Sequence, residues 1–187
     1  MSIDQLKSRL LQIIKEKSYE KKEVTLASGR KSDFYIDCRQ TTLHPEGAYL
    51  VGKILYDMVK GLDSVVAAVG GPTMGADPIA TAIAVVSWLE GDPLPAFIVR
   101  KEPKKHGFGQ WIEGKKNLAN GAKVAIVEDV VTTGGSSLLA VKMAEEEGLK
   151  VCAVFAIVDR EEGGGEKIRE AGYEFKAIFT KRDVVGG

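Results

Sequence analysis

The chain has 187 residues, of which 44% are hydrophobic and 28% are charged, and 26 basic side chains balance 26 acidic ones. A chain of this length is expected to form one domain, 1–187, and to remove roughly 70% of its unfolded surface from water. Because the net charge is zero, there is no general electrostatic reason to bind nucleic acid or an anionic membrane, and any anion site must be local. Cys38 and Cys152 lack CxxC spacing, which excludes a disulfide framework or structural zinc cluster and favours a reducing compartment.

The first predicted element is an amphipathic helix over residues 1–17, where apolar side chains recur at helical spacing between charged ones. It lacks the apolar core of a signal peptide, and no apolar run reaches the ~18 residues that span a bilayer. We therefore expect a cytoplasmic protein with no membrane partner. Residues 21–38 predict two short facing strands around a turn at 28–30, and Pro45 predicts the start of a helix that ends at Lys60.

From residue 64 onward, short uninterrupted apolar runs alternate with longer amphipathic ones. Strands that are apolar on both faces are typical of parallel sheets covered by helices. The pattern predicts an α/β core over about 45–180, with a mostly parallel sheet of roughly five strands flanked by helices, behind a small N-terminal hood of one helix and short strands over about 1–40. The glycine run 163–165 is expected to be a loop, and residues 184–187 a frayed end.

The clearest site signal follows the apolar run 124–127. Glu128 and Asp129, which we call the acidic pair, come directly after it, and a Thr/Gly/Ser turn then leads into a helix. Exposed backbone N–H groups and the positive end of a helix dipole favour a phosphate, whereas ionised carboxylates accept hydrogen bonds from hydroxyls such as a ribose diol. The pair and turn together predict a ribose 5-phosphate. The alternative is an acidic strand end followed by a helix cap at Thr133 or Ser136.

The string 124–136 resembles the phosphoribosyl diphosphate (PRPP) motif of type I phosphoribosyltransferases, which has four apolar residues, two acidic ones and a Thr/Gly-rich loop. Neither a Walker A pattern nor GxGxxG occurs in the chain, so ATP and dinucleotides lose their usual support. The resemblance implies a type I phosphoribosyltransferase-like fold. It also implies that PRPP is bound by Glu128, Asp129, Val130, Val131, Thr132, Thr133, Gly134, Gly135 and Ser136.

A basic segment at 100–106 follows the apolar run 96–99. Lysine-rich segments are usually solvated charge runs, but this one follows a buried strand and would face the turn after Asp129. Cations aimed at a departing pyrophosphate stabilise the transition state of ribosyl transfer. A mobile loop that closes over the substrate, with Gly107 and Gly109 as hinges, would also exclude water.

The basic segment resembles the catalytic loop of the orotate phosphoribosyltransferase family. The match runs through Arg100, Lys101, Glu102, Lys104, His106 and Gly107. The resemblance implies a homodimer in which this loop is shared across the interface, with Lys104 as the most important catalytic side chain. Arg100, Lys101 and His106 would also bind PRPP and act in catalysis, together with Asp129 at the ribose. His106 keeps the alternative of a solvated loop side chain.

The segment 28–37 resembles the part of the same family's hood that covers the pyrimidine. An aromatic ring can stack on a flat base, and a planar guanidinium after the run 151–158 can face a carboxylate or imide edge. The resemblance implies orotate contacts from Tyr35, Ile36, Thr132 and Arg160. Tyr35 as an ordinary core residue and an Arg160 ion pair with Glu161 or Glu162 remain alternatives. His44 is expected to be structural or exposed.

Two positions depart from the family pattern. Ala27 and Met74 stand where well-known bacterial relatives carry lysines directed at PRPP. Pyrophosphate binding would then depend more on Arg100, Lys101 and Lys104, or on Lys31 if it can reach.

The resemblance implies a glycosyltransferase that converts orotate and PRPP into orotidine 5′-monophosphate and pyrophosphate, in de novo pyrimidine (UMP) biosynthesis. Mg²⁺ is the expected cofactor, held mainly by PRPP and water, with no protein metal site. One alternative is a purine phosphoribosyltransferase, which the hood and the basic segment oppose. Another is a PRPP-sensing regulatory protein without turnover, which could dispense with the basic segment that this chain retains.

Overall fold

The computed structural model describes residues 1–25, 31–32, 34–103 and 110–186. The α-helices of this part of the chain are α1 (Ile3–Lys17), α2 (Arg39–Thr42), α3 (Pro45–Lys60), α4 (Ala76–Leu89), α5 (Gly135–Glu146), α6 (Gly164–Glu170) and α7 (Lys181–Val185), and a short 3-10 helix covers Lys115–Asn117. The strands are β1 (Tyr19–Glu20), β2 (Val24–Thr25), β3 (Lys31–Ser32), β4 (Tyr35–Ile36), β5 (Ala68–Pro72), β6 (Ala96–Val99), β7 (Ile112–Glu113), β8 (Lys123–Val131), β9 (Lys150–Asp159) and β10 (Glu174–Thr180).

The main sheet has the strand order β10-β9-β8-β5-β6-β7 in the described residues. The first five strands in this order are parallel to one another, and β7 adds a short antiparallel edge to β6. The prediction of a mostly parallel, roughly five-stranded sheet is confirmed. From β5 the chain adds β6 on one side, whereas β8 lies on the other side, so the topological switch point falls between β5 and β8. Ligands of doubly wound sheets bind outside the carboxyl ends of the strands at such a point.

Helices cover both faces of the sheet and separate its core into two clusters. One cluster joins α1, α3 and α4 to the face of β8 that carries Ala125 and Val127. The other joins α5 and α6 to the opposite face, which carries Val124 and Ile126. Successive strand side chains point to opposite faces. The same alternation, continued along β8, separates the two members of the acidic pair.

The predicted bounds of α3 coincide with the observed ones, whereas those of β8 do not. Helix α3 begins at Pro45, and the Nδ1 atom of His44 accepts a hydrogen bond from Gly47 N at 3.4 Å, so His44 is a structural cap, as expected. Strand β8 differs, because it runs beyond the predicted 127 to Val131 while β9 still pairs with it. The acidic pair therefore lies within a strand. Both cysteines are free thiols.

Two expectations about chain ends and glycines are wrong. Gly163, at φ 88°, caps α6, and Gly164 and Gly165 form its first turn. A Cβ on Gly164 would lie 2.6 Å from Thr132 O, and one on Gly165 would lie 2.8 Å from the Phe175 ring; these glycines allow close packing rather than looping. The prediction of a frayed end is wrong at residues 184–185, which belong to helix α7 and include Val184, which is 1% exposed; residue 187 lies outside the described residues.

The hood contains two short antiparallel pairs, β1 with β4 and β2 with β3. The predicted facing strands are therefore confirmed, and β1 adds a pair that was not predicted. Phe34 is 2% exposed and lies between the Tyr19 ring, at 6.4 Å, and the Arg160 guanidinium, at 4.5 Å. The hood is thereby fixed over the carboxyl end of β9.

Candidate active site

A cavity of about 300 Å³ opens at the switch point, outside the carboxyl ends of β5 and β8. We call it the central cavity. The hood and α2 form one wall, the loop after β5 forms a second, and the ends of β6 and β8 complete it. Its lining residues are Tyr35, Ile36, Asp37, Arg39, Thr73, Met74, Gly75, Lys101, Asp129 and Val130.

The two carboxylates of the acidic pair face different surroundings. Asp129 lines the central cavity, and its Oδ1 accepts a hydrogen bond from Val130 N at 2.8 Å. Glu128 is 5% exposed and turns towards α5, where Ser136 Oγ and Ser137 Oγ donate to its Oε2 at 3.1 and 3.3 Å. Asp129 is therefore placed to meet a ligand, and Glu128 to hold the first turn of α5 against β8.

The protonation of the pair follows from its burial. Burial, reinforced by the charge of Asp129, raises the pKa of Glu128 to about 8, while the two serine hydroxyls oppose the rise. Burial also raises the pKa of Asp129, but the Val130 N–H and a hydrogen bond from Glu128 oppose it. One proton on Glu128 thus leaves Asp129 as the ionised acceptor near neutral pH, because two adjacent buried carboxyls do not readily ionise together.

Residues 132–137, which we call the phosphate turn, run from the end of β8 through the first residues of α5. None of their backbone N–H groups donates a hydrogen bond to a described residue, and the first bond of the helix runs from Leu138 N to Gly134 O at 2.9 Å. These donors join the positive end of the α5 dipole. An anion with several oxygens, such as a phosphate monoester, satisfies both features.

Glycines hold the phosphate turn in place. Gly134 has φ 73°, which L side chains rarely adopt. A Cβ there would also lie 3.0 Å from Gly164 O, so the turn rests directly on the start of α6. The absence of side chains at both positions allows the two backbones to touch.

Of the predicted base-side residues, Thr132 and Arg160 directly follow β8 and β9, whereas Tyr35 and Ile36 form β4 and line the central cavity. Arg160 N donates to Val131 O at 2.9 Å, directly before Thr132. The Arg160 side chain is 5% exposed and donates from Nε to Glu162 Oε1 at 2.9 Å, so the alternative ion pair is present. Its ring contact with Phe34 ties it to the hood strand that carries Tyr35 and Ile36. The orotate contacts of these residues remain a prediction.

The basic segment is described only at its beginning. Arg100 donates from Nη1 to Glu113 Oε1 at 2.9 Å and from Nε to Glu102 O at 3.2 Å. Lys101 is exposed and lines both the central cavity and an adjoining one of about 580 Å³. Lys104, His106 and the predicted hinges Gly107 and Gly109 lie outside the described residues.

The structure adds site residues that the sequence did not reveal. In the loop after β5, Thr73 Oγ1 donates to Asp77 Oδ2 at 2.8 Å, and a Cβ on Gly75 would lie 2.6 Å from Asp129 Oδ1. Arg39, at the start of α2, donates from Nε and Nη2 to Asp37 at 2.7 and 3.1 Å. The one available signal was the Gly-Pro-Thr-Met-Gly string that ends β5. Nothing local marks Arg39, because the fold brings it to the cavity.

The chain is similar in sequence and in fold to known orotate phosphoribosyltransferases. The orotate phosphoribosyltransferase of Sorangium cellulosum (strain So ce56) is 48% identical over 179 residues, which covers 96% of this chain and 93% of that protein. The structure of Mycobacterium tuberculosis H37Rv orotate phosphoribosyltransferase in complex with Fe(III) dicitrate has a TM-score of 0.83 at 37% identity, covering 96% of this chain and 98% of that one. The same enzyme in complex with PRPP has a TM-score of 0.80 at 34% identity, covering 96% and 99%. No family model matches the chain.

The switch-point cavity, the acidic pair and the phosphate turn define a type I phosphoribosyltransferase, and the similar structures share its fold. Sequence identity extends over nearly the whole of both chains. The chain belongs to the orotate phosphoribosyltransferase family.

Proposed function

We propose that residues 1–187 act as one phosphoribosyltransferase domain that transfers the 5-phosphoribosyl group of PRPP to orotate, giving orotidine 5′-monophosphate and pyrophosphate. One observation carries this proposal: Asp129 faces a cavity at the switch point, beside a turn whose backbone N–H groups donate to no residue that the structure describes. A ribose that carries a 5-phosphate and a 1-pyrophosphate matches these features in order. The M. tuberculosis relative in complex with PRPP supports the same substrate.

Different described residues bind the ribose hydroxyls and the 5-phosphate. The carboxylate of Asp129 accepts hydrogen bonds from the 2- and 3-hydroxyls, and the phosphate turn binds the 5-phosphate through backbone N–H groups. The turn is preorganised, because its glycines are packed on α6 before any ligand arrives. Little reorganisation accompanies binding, so C1 of the ribose is held in one position relative to the base.

At C1 the bond to pyrophosphate breaks and its electron pair leaves with the pyrophosphate, while N1 of orotate forms the new bond and releases its proton to water. N1 is already largely available as a nucleophile, so the reaction requires no strong general base. Negative charge grows on the leaving group, and Lys101, Arg100 and the undescribed Lys104 and His106 are assigned to stabilise it. The hood, through Tyr35 and Ile36, and the turn residue Thr132 with Arg160 would hold the pyrimidine.

Mg²⁺ is proposed to accompany PRPP. No three His, Cys, Asp or Glu side chains cluster to hold a metal ion in the described ranges, whereas Asp129 offers one hard oxygen ligand and PRPP offers several. When bound, the ion neutralises part of the pyrophosphate charge.

None of the helices in the described part of the chain is long and apolar enough to cross a membrane. We propose that the protein acts in the cytoplasm.

One assay tests the activity. The protein is incubated with PRPP, Mg²⁺ and orotate, and the loss of orotate absorbance is followed. We expect turnover with orotate and none with adenine, guanine or hypoxanthine. Consumption of a purine instead would overturn the orotate assignment, and PRPP binding without consumption of any base would favour a sensor.

A pair of lysine variants tests the basic segment. Lys104→Ala should reduce turnover by about a hundredfold or more, since a cation aimed at the developing charge is lost. Lys116→Ala, an exposed lysine beyond β7, serves as the control and should keep the wild-type rate. A wild-type rate for Lys104→Ala would remove this side chain from the mechanism.

Homodimerisation with a loop shared between subunits is also a proposal. Lys104→Ala and Asp129→Asn should each be nearly inactive alone. If Lys104 acts in the partner's site, a mixed dimer assembles one intact site from the two defective chains, and coexpression restores activity. No restoration in a verified mixed dimer would place Lys104 in its own subunit's site.

A further inference from the structure

Arg39 is a cation of the central cavity that the proposed mechanism does not use. Its side chain is 42% exposed and lines both the central cavity and a neighbouring one of about 440 Å³. The Nε and Nη2 atoms donate to the two oxygens of Asp37, and no described residue accepts a hydrogen bond from Nη1. The guanidinium therefore has one edge fixed by a carboxylate and another edge available to a ligand.

The Arg39–Asp37 pair contributes little to holding the fold together. The two residues are two positions apart in sequence, so their ion pair connects no distant elements. The Arg9–Glu46 pair has the same two-bond geometry, at 2.7 and 2.8 Å, but it joins α1 to α3. What distinguishes Arg39 is its place in the cavity.

Among the described residues that line the central cavity, Arg39 is the cation that an ion pair holds in place. Met74 stands in the loop after β5 and is 60% exposed without a charge, and the hydroxyl of Thr73 is already bonded to Asp77. Asp129 contacts the 2-hydroxyl in the proposed function, and the pyrophosphate is attached to the adjacent carbon. The leaving group therefore lies within the central cavity, which Arg39 and Lys101 both line from different sides.

We propose that Arg39 is a substrate-binding residue that donates hydrogen bonds from Nη1 to the pyrophosphate group of PRPP, with Asp37 as its positioning residue. This proposal rests on the proposed function only because that function names PRPP as the substrate. The group that Arg39 would recognise is a diphosphate, bound by a guanidinium that the Asp37 carboxylate orients. A guanidinium already oriented by Asp37 loses little side-chain freedom on binding. It also supplies the charge that Met74 does not.

The test compares Arg39→Gln with Arg9→Gln, which removes a matched ion pair outside the cavity. Binding of PRPP and of inorganic pyrophosphate is measured by calorimetry, so the result does not depend on turnover. Arg39→Gln should weaken both by about tenfold to a hundredfold, as expected for one charge-assisted hydrogen bond, and Arg9→Gln should change neither. Affinity for orotidine 5′-monophosphate, which lacks the pyrophosphate, should stay within about twofold in both variants.

Asp37→Asn separates positioning from charge. The variant keeps the Arg39 guanidinium but removes the carboxylate that orients it, so pyrophosphate binding should weaken less than in Arg39→Gln.

Wild-type pyrophosphate affinity in a folded Arg39→Gln protein would overturn the proposal, as would an equal loss of pyrophosphate and orotidine 5′-monophosphate affinity. If Arg39→Gln fails to fold, the same criteria apply to Arg39→Lys, for which a loss of at least severalfold is expected. Absence of orotate turnover in the wild type would overturn the proposed function and leave this binding test intact.

Discussion

The phosphate turn and the central cavity lie side by side at the carboxyl end of the sheet, but they are built differently. The turn offers backbone N–H groups, and its shape is imposed by glycine contacts with α6. The cavity offers side chains from the hood, from the loop after β5 and from the ends of β6 and β8. A backbone site is fixed by the fold, whereas a side-chain site can be altered one residue at a time. Variants of the two regions should therefore fail in different ways.

The largest effect is expected in the cavity, for Asp129→Asn. The amide cannot accept hydrogen bonds from both ribose hydroxyls as an ionised carboxylate does, and turnover should fall by about a hundredfold to a thousandfold. Thermal stability should hold or rise, because a buried charge is removed. Steady-state kinetics with varied PRPP measures the loss. Asp159→Asn, at the end of the neighbouring β9, is the control, and an equal loss there would contradict the assignment.

Gly75→Ala should have the next largest effect. The added Cβ would lie 2.6 Å from Asp129 Oδ1, so the carboxylate or the loop must shift. A displacement of this size in a positioned group should cost about tenfold or more in kcat/KM. Gly61→Ala, whose Cβ would meet its nearest atom at 3.4 Å, should be kinetically silent. If Gly75→Ala kept wild-type kinetics, the loop would not control the position of Asp129.

Gly134→Ala tests the backbone site. Its positive φ should cost about 1–2 kcal/mol of unfolding free energy, and the crowding against Gly164 O should weaken PRPP binding severalfold. Gly121→Ala shares a positive φ of 75° but has nothing within 4 Å of its Cβ. It should lose similar stability without losing affinity, as denaturation and calorimetry can show. Equal affinities in the two variants would mean that the turn tolerates displacement from α6.

Glu128→Gln should have the smallest effect on turnover at neutral pH, where Glu128 already holds a proton. The raised pKa sets the sign: the folded protein keeps a proton that the unfolded chain releases near pH 4.5, so the wild type loses stability as pH rises from there to about 8. Glutamine has no such proton, so the variant should gain stability relative to wild type across this window. Denaturant unfolding at pH 4, 6 and 9 measures the difference, and a constant difference would show that Glu128 is not buried as a neutral acid.

The difference between the phosphate turn and the central cavity also explains which parts of the site could be predicted from the sequence. The phosphate turn was predictable because strand, carboxylates, glycines and helix follow one another in a single segment. The cavity was not, since Arg39, Gly75 and Asp129 come from distant segments that only the sheet order brings together. The extension of β8 through the acidic pair escaped prediction for a similar reason, because it depends on pairing with β9. Glycines at 163–165 indicated a loop, but contacts with Thr132 and Phe175 make them a helix start.

The contact between Gly164 and the phosphate turn limits how base preference can change. Any side chain at Gly164 would meet Thr132 O, and any at Gly165 would meet the Phe175 ring, so α6 cannot be varied without moving the turn that holds the phosphate. The hood carries no such constraint at Tyr35, which is only half-buried. Anyone who wishes to redesign the enzyme for another base should therefore diversify the hood and leave α6 unchanged.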